Sequence, residues 1–407
     1  MSSADGPIVV VGAGPVGLTA AYVMARLGLP VLVLEAGEEP NTEWRASTFH
    51  PPTLELYDSV GLAGEMIEAG LVARHFQMRD RQRGVFAEFD LQVLTDDTPF
   101  PYRLQYEQYK LVRLLQQHVA EFSHAELRFG SQVVGVKQLP DRVQVRVDQG
   151  GEISTVDAPY VCGADGAAST VRKSVGVAFD GLTYQDRFLL LSTTFPFERH
   201  LTDIRLVNYI ADPDEYMMLL RIPDVWRVLF SVRPGDESAA ITVEEGERRL
   251  QRVVRSDQPY QVIQRQIYRV HQRVADTFRV GRVLLLGDAA HVNSPFGGMG
   301  LNSGVHDAFD LSRRLARIVQ DGASPRELDV YAQRRREFAR THVRAQTHRN
   351  TTSLAERDPV RRAENQAAMA AVAADPVRAR EWLLDAAMLR QVRAEGIGEP
   401  EQVNGRP

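Results

Sequence analysis

The chain has 407 residues, of which 44% are hydrophobic and 25% charged, and a formal net charge of −5. That length suits two domains with cores of their own in an ordinary globular protein, and a net acidic chain offers no basic footprint for nucleic acid or an anionic membrane surface. Cys162 is the only cysteine, which excludes an internal disulfide and any Cys-x-x-Cys metal or redox pair.

Met1 to Pro7 carry neither a positive n-region nor an apolar core, so a cytoplasmic protein without a secretory signal is expected. The apolar stretch from Ile8 to Ala36 is interrupted by glycines, Pro15, Arg26 and Pro30. It reads as strand–helix–strand rather than a membrane span. Ile8-Val9-Val10-Val11 is the first strand, Gly12-Ala13-Gly14-Pro15-Val16-Gly17 turns it into a helix ending near Leu27, and Val31 to Glu35 is the second strand. Continuous apolar strands with short connections argue for a parallel sheet covered on both faces.

Helices are expected over 54–69 and 107–122, then antiparallel strands over 127–136 and 142–147 with Leu139-Pro140-Asp141 as their turn. From about Arg187 the pattern changes. Runs at 188–195, 204–210, 216–222 and 226–232 predict an antiparallel sheet, and a helix follows from Thr242 with Glu245 as its capping-box partner. The chain rejoins the first unit near Val280, where the apolar run Val283 to Leu286 enters Gly287-Asp288 and a Pro/Gly loop before a helical pattern from Ser303 to Ile318. Residues 327–395 read as helical, with starts at Asp358-Pro359 and Asp375-Pro376. The expectation is an α/β fold. A discontinuous Rossmann-like domain covers 1–75, 103–180 and 275–320, an inserted antiparallel-sheet domain covers 76–102 and 181–274, and a helical region covers 321–407.

Three motifs carry chemistry. In the first, Gly12 allows a tight turn, Gly14 lets backbone approach a pyrophosphate, Gly17 lets helix and strand pack closely, and Glu35 ends the second strand where a carboxylate can bind a ribose diol. The second is Cys162-Gly163-Ala164-Asp165-Gly166, followed by Ser169 and Arg172. The third is Gly287-Asp288 with Pro295, Gly297, Gly298 and Gly300, where a strand ends in an acid and a helix begins. Unpaired N–H groups and the positive end of the helix dipole then face whatever fills the loop.

In this order and at these separations the motifs resemble the single-component flavoprotein aromatic hydroxylases, the para-hydroxybenzoate hydroxylase-like group A monooxygenases. The resemblance spans roughly residues 6 to 320. It implies a Rossmann-like FAD-binding domain, an inserted substrate-binding domain, tightly bound non-covalent FAD, and NADPH or NADH as a transient reductant. The implied reaction is hydroxylation of a phenolic or heteroaromatic small molecule by O2 through a flavin C4a-hydroperoxide. By the same resemblance Gly12, Gly14, Gly17 and Glu35 hold the ADP half of FAD, with Arg45, Gln108 and the backbone at Val133 as further contacts. Asp165 serves FAD and the reductant, Asp288 binds the ribityl chain, and Gly298, Gly300, Leu301 and Asn302 lie where helix-start amides meet the flavin. Pro295 falls where a backbone carbonyl lies near the substrate hydroxyl, and Arg227 where an arginine touches the mobile flavin.

Arg221, six residues before Arg227, is a candidate anchor for an acidic substrate, and Tyr209 and Tyr216 are candidates to face its ring. An exposed strand-end arginine and ordinary sheet packing would read the same. His291 and His50 are candidates for proton transfer, His291 also reading as structural. Arg334-Arg335-Arg336 reads as a solvated helix face, and the segment from 366 to 389 with Trp382, Leu383 and Leu384 as helix packing or a subunit contact. A monomer or homodimer is expected, with no nucleic-acid or membrane partner. Two alternatives stay open: epoxidation, oxidative decarboxylation or ring opening of a polyketide or antibiotic on the same fold, and a non-catalytic FAD-binding redox protein.

Overall fold

The computed structural model describes residues 6–40, 42, 45–201, 203–343 and 353–397. Ile8–Val11 lies inside a six-stranded sheet, paired in parallel with Val31–Leu34 on one side and Val161–Gly163 on the other. Ala125–Arg128 and Val283–Leu285 continue the parallel sheet outward, and Arg279–Val280 closes one edge antiparallel. All residues of Ile8–Val11 and Val31–Leu34 are buried because both faces are covered. The helices Pro15–Arg26, Gln108–Val119 and Met299–Gln320 pack together on one side. A three-stranded antiparallel sheet of Gln132–Gln138, Val143–Gln149 and Glu152–Ala158 adds Val143, Val145 and Val147 to the same core.

The second sheet has eight strands in the order His291–Val292, Val262–Ala275, Phe179–Thr193, Trp226–Val232, Met217–Arg221, Val207–Ala211, His75–Asp80 and Gly84–Asp90. Its pairings are antiparallel except where Val207–Ala211 meets His75–Asp80. One face carries Phe188, Leu190, Tyr209, Met218 and Phe296; the other carries Leu189, Leu191, Val228 and Phe230 under the Val243–Gln251 helix. Half of the expected capping box forms: the Thr242 hydroxyl accepts from the Glu245 N–H at 3.2 Å, but the Glu245 carboxylate binds Arg248 and Arg249 and the Thr242 N–H bonds the Ala239 carbonyl.

Several elements depart from the sequence reading for identifiable reasons. The expected helix over 54–69 is two helices, Pro51–Asp58 and Ala63–Glu68, separated at Gly61, whose φ is +81°. The long helix begins at Met299 rather than Ser303, because Gly298 takes a left-handed conformation and starts the helix inside the glycine loop. Val262–Ala275 is a strand that the hydropathy pattern hides, its alternation broken by Gln264, Arg265, Gln266, Arg269, Gln272 and Arg273.

The C-terminal helices Glu327–Phe338, Pro359–Ala373, Pro376–Ala386 and Leu389–Ala394 are packed onto both units. Asp358 and Asp375 cap theirs with side-chain oxygens, as their Asp-Pro starts predict. Trp382 stacks on Phe89 with ring centroids 4.3 Å apart, the Gln366 amide donates to Asp80 at 2.9 Å, and Arg380 binds Asp97 through two nitrogens at 2.6 and 2.8 Å.

The reading of Arg334-Arg335-Arg336 as a solvated face is corrected at its centre. Arg335 is fully buried. Its Nε donates to Asp307 at 2.6 Å, its Nη1 to Glu395, and its Nη2 to the Ser303 carbonyl and hydroxyl. The second Asp307 oxygen accepts from the Gly287 N–H at 3.0 Å and from His291 Nε2 at 2.8 Å. These contacts hold the Asp307 carboxyl below the ordinary carboxylate range against the burial that would raise it. One buried ion cluster thus ties the C-terminal region, the long helix and the Gly287-Asp288 corner together. Arg335→Met removes the cation and leaves two carboxylates behind, a loss of about 3–5 kcal/mol. A lower thermal midpoint and faster proteolysis after residue 340 are the expected readouts, and an unchanged midpoint would contradict the role.

Candidate active site

Missing side chains bring the three motifs together. A Cβ on Gly12, whose φ is +101°, would lie 2.6 Å from the Ala164 carbonyl oxygen and 3.2 Å from the Asp165 Cα. A Cβ on Gly17 would lie 2.0 Å from the Gly12 carbonyl oxygen, and one on Gly287 3.1 Å from Val16. The Cys162–Gly166 and Gly287-Asp288 segments therefore both touch the first turn of the Pro15–Arg26 helix. Gly14 is different: a Cβ there would meet nothing within 4 Å. The helix behind it has no side-chain cap and no acid in its first turn, so its leading N–H groups are available to an anion in that opening.

Glu35 uses one carboxylate oxygen to accept from the Ala13 N–H at 2.7 Å and the other from the Gly37 N–H at 3.0 Å. Its position at the strand end is thereby fixed. Gly130 and Ser131 bond back to the Gly37 and Glu35 carbonyls, which sets Val133 in the strand just beyond, its side chain buried. The Asp165 carboxylate is engaged locally, accepting from the Ser169 hydroxyl and the Val171 N–H and so capping the Thr170–Ser174 helix.

A cavity of about 430 Å3 lies between the long helix and the large sheet. Arg45, Asp288, Pro295, Gly298, Gly300 and Leu301 line it, as do Arg227 and Tyr268 from the sheet. The Met299–Gln320 helix opens onto this space without a side-chain cap or an acid in its first turn. Asp288 lines the cavity, and desolvation there raises its carboxyl above the ordinary value, with His291 and Arg45 opposing. Arg227 is buried; desolvation lowers its guanidinium, and Nη1 donates to the Arg45 carbonyl.

The geometry suits a dinucleotide bearing a flat ring: open space at Gly14 for a diphosphate, a carboxylate at Asp288 along the chain, and an uncapped helix start at Gly300 and Leu301 for an electron-rich ring edge.

Asn302 does not line this cavity. Its amide oxygen accepts from the His50 N–H at 2.9 Å, and its nitrogen donates to the Thr48 and Gly298 carbonyls at 2.8 and 2.6 Å. Gln108 is likewise indirect, its backbone and side chain both bonding Ala46 beside Arg45. His291 is held in the ion cluster by Asp307. The Pro295 carbonyl accepts from the Gly298 N–H at 3.1 Å and shapes the turn.

A second chamber, of about 440 Å3, lies between the large sheet and the C-terminal helices. Phe76, Met78, Phe86, Met369, Val372 and Trp382 give it apolar walls, and Gly297 borders it. Gly297 and Gly298 thus stand between the two spaces. Tyr209 lines the second chamber; Tyr216 instead packs on Phe188 and Phe296, and Arg221 lines neither space, its Nη1 donating to the Ile222 carbonyl at 2.8 Å. Arg103 carries no mark in the sequence, where Pro-Tyr-Arg-Leu resembles any strand start, and the 366–389 segment, which reads there as helix packing or a subunit contact, supplies a wall of this chamber.

His50 is fully buried at this partition, and its Nε2 lies 2.7 Å from the Gly297 carbonyl oxygen. A carbonyl only accepts, so Nε2 carries the hydrogen and Nδ1 is a bare acceptor. Burial first, and the Arg103 charge second, lower its pKa from 6.5 to about 3. The folded protein therefore holds this imidazole neutral while the unfolded chain takes up a proton below 6.5. The resulting stabilisation is complete above pH 6.5 and is lost as pH falls toward about 3. His50→Asn should flatten acid destabilisation within that window in pH-resolved urea melts; an identical slope in both proteins would remove His50 from the effect.

Residues 5–346 match the model of the FAD binding domain family. The chain is 33% identical over 394 residues to para-nitrophenol 4-monooxygenase of Pseudomonas sp. (strain WBC-3), covering 95% of this chain and 96% of the relative. It is 36% identical over 340 residues to 6-hydroxy-3-succinoylpyridine 3-monooxygenase HspB of Pseudomonas putida, covering 81% and 84%. The crystal structure of p-nitrophenol 4-monooxygenase PnpA from Pseudomonas putida DLL-E4 superposes with a TM-score of 0.90 at 31% identity, over 96% of this chain and 99% of that one. With motifs, sheets and relatives in agreement, the chain belongs to the FAD-binding family of para-hydroxybenzoate hydroxylase-like flavoprotein monooxygenases.

Proposed function

We propose that this FAD- and NAD(P)H-dependent monooxygenase hydroxylates a small phenolic or heteroaromatic ring held in the chamber between the large sheet and the C-terminal helices. The observation that carries this reading is the Gly297-Gly298 partition, with an anion-favouring cavity on one side and an apolar aromatic-lined chamber on the other. A chamber of about 440 Å3 is in the range of sites for small organic ligands. The activities of the relatives, on a nitrophenol and a hydroxypyridine, support a single-ring substrate.

Bound FAD would supply the redox chemistry, accepting electrons from NAD(P)H and passing one atom of O2 to the ring. The protein's share is binding, orientation and exclusion of water. In this reading the Gly12-Gly14-Gly17 corner and Glu35 hold the ADP half. Asp288 and Arg45 hold the linking chain, and the amides at Gly300 and Leu301 stabilise negative charge on the ring edge, worth about 0.3–2 kcal/mol from the helix dipole alone. Gly298, its own N–H held by the Pro295 carbonyl, shapes the turn that presents them. Arg227 bounds the cavity on the sheet side. Gln108 and Asn302 act as positioning residues, pinning Ala46 and the Thr48–His50 segment. Among the described residues no helix is long and apolar enough to cross a membrane. A cytoplasmic monomer or homodimer fits the reading.

The test is purification as a yellow protein whose NAD(P)H consumption accelerates with a phenol or hydroxypyridine and yields a product heavier by one oxygen atom. Uncoupled consumption with every ring in the panel would count against it. Asp288→Ala should weaken FAD binding by about 1.5–3 kcal/mol, roughly 10- to 150-fold in Kd. Equilibrium dialysis of the cofactor reads this directly, and an unchanged Kd withdraws Asp288 from the cofactor site.

A further inference from the structure

Arg103 is a buried cation without a counterion. Its side chain is in the Arg103–Gln105 strand and is 3% exposed, yet it lines the apolar chamber. The guanidinium lies over the Phe76 ring, 4.2 Å from the centroid, and Nη1 donates to the Tyr209 hydroxyl at 3.3 Å. Its Nε is buried and has no hydrogen-bond partner, and no carboxylate lies within ion-pairing distance among the described residues. Glu356, the acid lining the same chamber, accepts instead from the Asp358 N–H at 3.0 Å.

A desolvated charge is costly unless paired and hydrogen-bonded, and one aromatic face with one long hydroxyl contact offsets only part of that cost. A planar fork of donors facing an apolar cavity matches the geometry of a bound oxyanion. The placement adds direction, because the Arg103 charge is felt by His50, which touches Gly297 at the partition.

We propose that the chamber selects aromatic ligands carrying an anionic oxygen, phenolate or carboxylate, and that Arg103 is the residue that binds it. The inference rests on reading this chamber as the substrate site. It reassigns anion recognition from Arg221, which bonds its own turn at the end of the Met217–Arg221 strand, to a residue 118 positions earlier. It also gives Tyr209 a definite part, holding one nitrogen of the fork in place.

Binding is measured on the FAD-loaded enzyme without reductant, by the change that a seated ring produces in the flavin spectrum. Two size-matched probe pairs serve: 4-nitrophenolate against 4-nitroanisole, and benzoate against benzamide. Wild type should bind the anion of at least one pair about 30-fold or more tightly than its neutral partner. The pair that shows the preference separates the phenolate from the carboxylate source. Arg103→Met should abolish the preference while retaining FAD, and Arg103→Lys should keep part of it.

A preference that survives in Arg103→Met overturns the proposal, as does a wild type that binds neither anion better than its neutral partner. The second criterion needs no variant, so the inference stays testable even if Arg103→Met does not fold. Met369→Trp narrows the same chamber without altering charge and separates the two levels. Loss of all probe binding there upholds the chamber, whereas unchanged binding of every probe removes the chamber reading and the inference with it.

Discussion

The site depends on backbone segments approaching one another more closely than any side chain would permit. At Gly12 the first strand and the Cys162–Gly166 segment are separated by less than a methyl group's width, and at Gly17 the helix closes on its own entering strand. Gly287 does the same against Val16. These contacts are steric vetoes rather than attractions. The glycines give the unfolded chain extra backbone freedom that folding must remove, and that cost is offset by the core beneath them, in which Ile8–Val11, Val31–Leu34 and Val283–Leu285 are entirely buried.

From that convergence follows the electrostatic character of the central cavity. The Met299–Gln320 helix begins at its rim and the Pro15–Arg26 helix at the separate Gly14 opening, and neither spends its leading amides on a side chain of its own. A protein ordinarily caps such ends. Bare amides at the Met299 end, with Arg45 and Arg227 lining the same cavity, favour negative charge where a reduced ring would lie, and the bare Pro15 end favours it where the phosphates would lie. Asp288 faces the same space, its charged form opposed by the desolvation that raises its carboxyl and favoured by His291 and Arg45.

Much of this was legible in the residues because backbone demands leave durable marks. Glycine at a fixed spacing, an acid at a strand end and Pro-Gly loops before helical patterns are local signals, and the elements they predict are present. What escaped has a common cause: it is decided by tertiary contact. Arg335 sits in a run of three arginines that looks solvated, yet its neighbours in space are Asp307 and Glu395. Arg103 has no local mark distinguishing it from a surface arginine. The walls contributed by Met369 and Trp382 come from helices whose composition signals packing and nothing more. Tyr209 and Tyr216 read alike, and only the sheet's register turns one toward the chamber while Phe188 and Phe296 enclose the other.

The C-terminal helices have a consequence for diversification. They furnish most of one wall of the ring chamber but none of the lining of the dinucleotide cavity. Their attachment runs through discrete clamps, at Asp80, Asp97 and the Arg335 cluster. On the proposed function, substitutions at Met369, Val372 or Trp382 would reshape the ring chamber while leaving the lining of the dinucleotide cavity untouched. Ligand choice and electron handling would then be separable within one polypeptide, and new aromatics would be reachable by editing its tail.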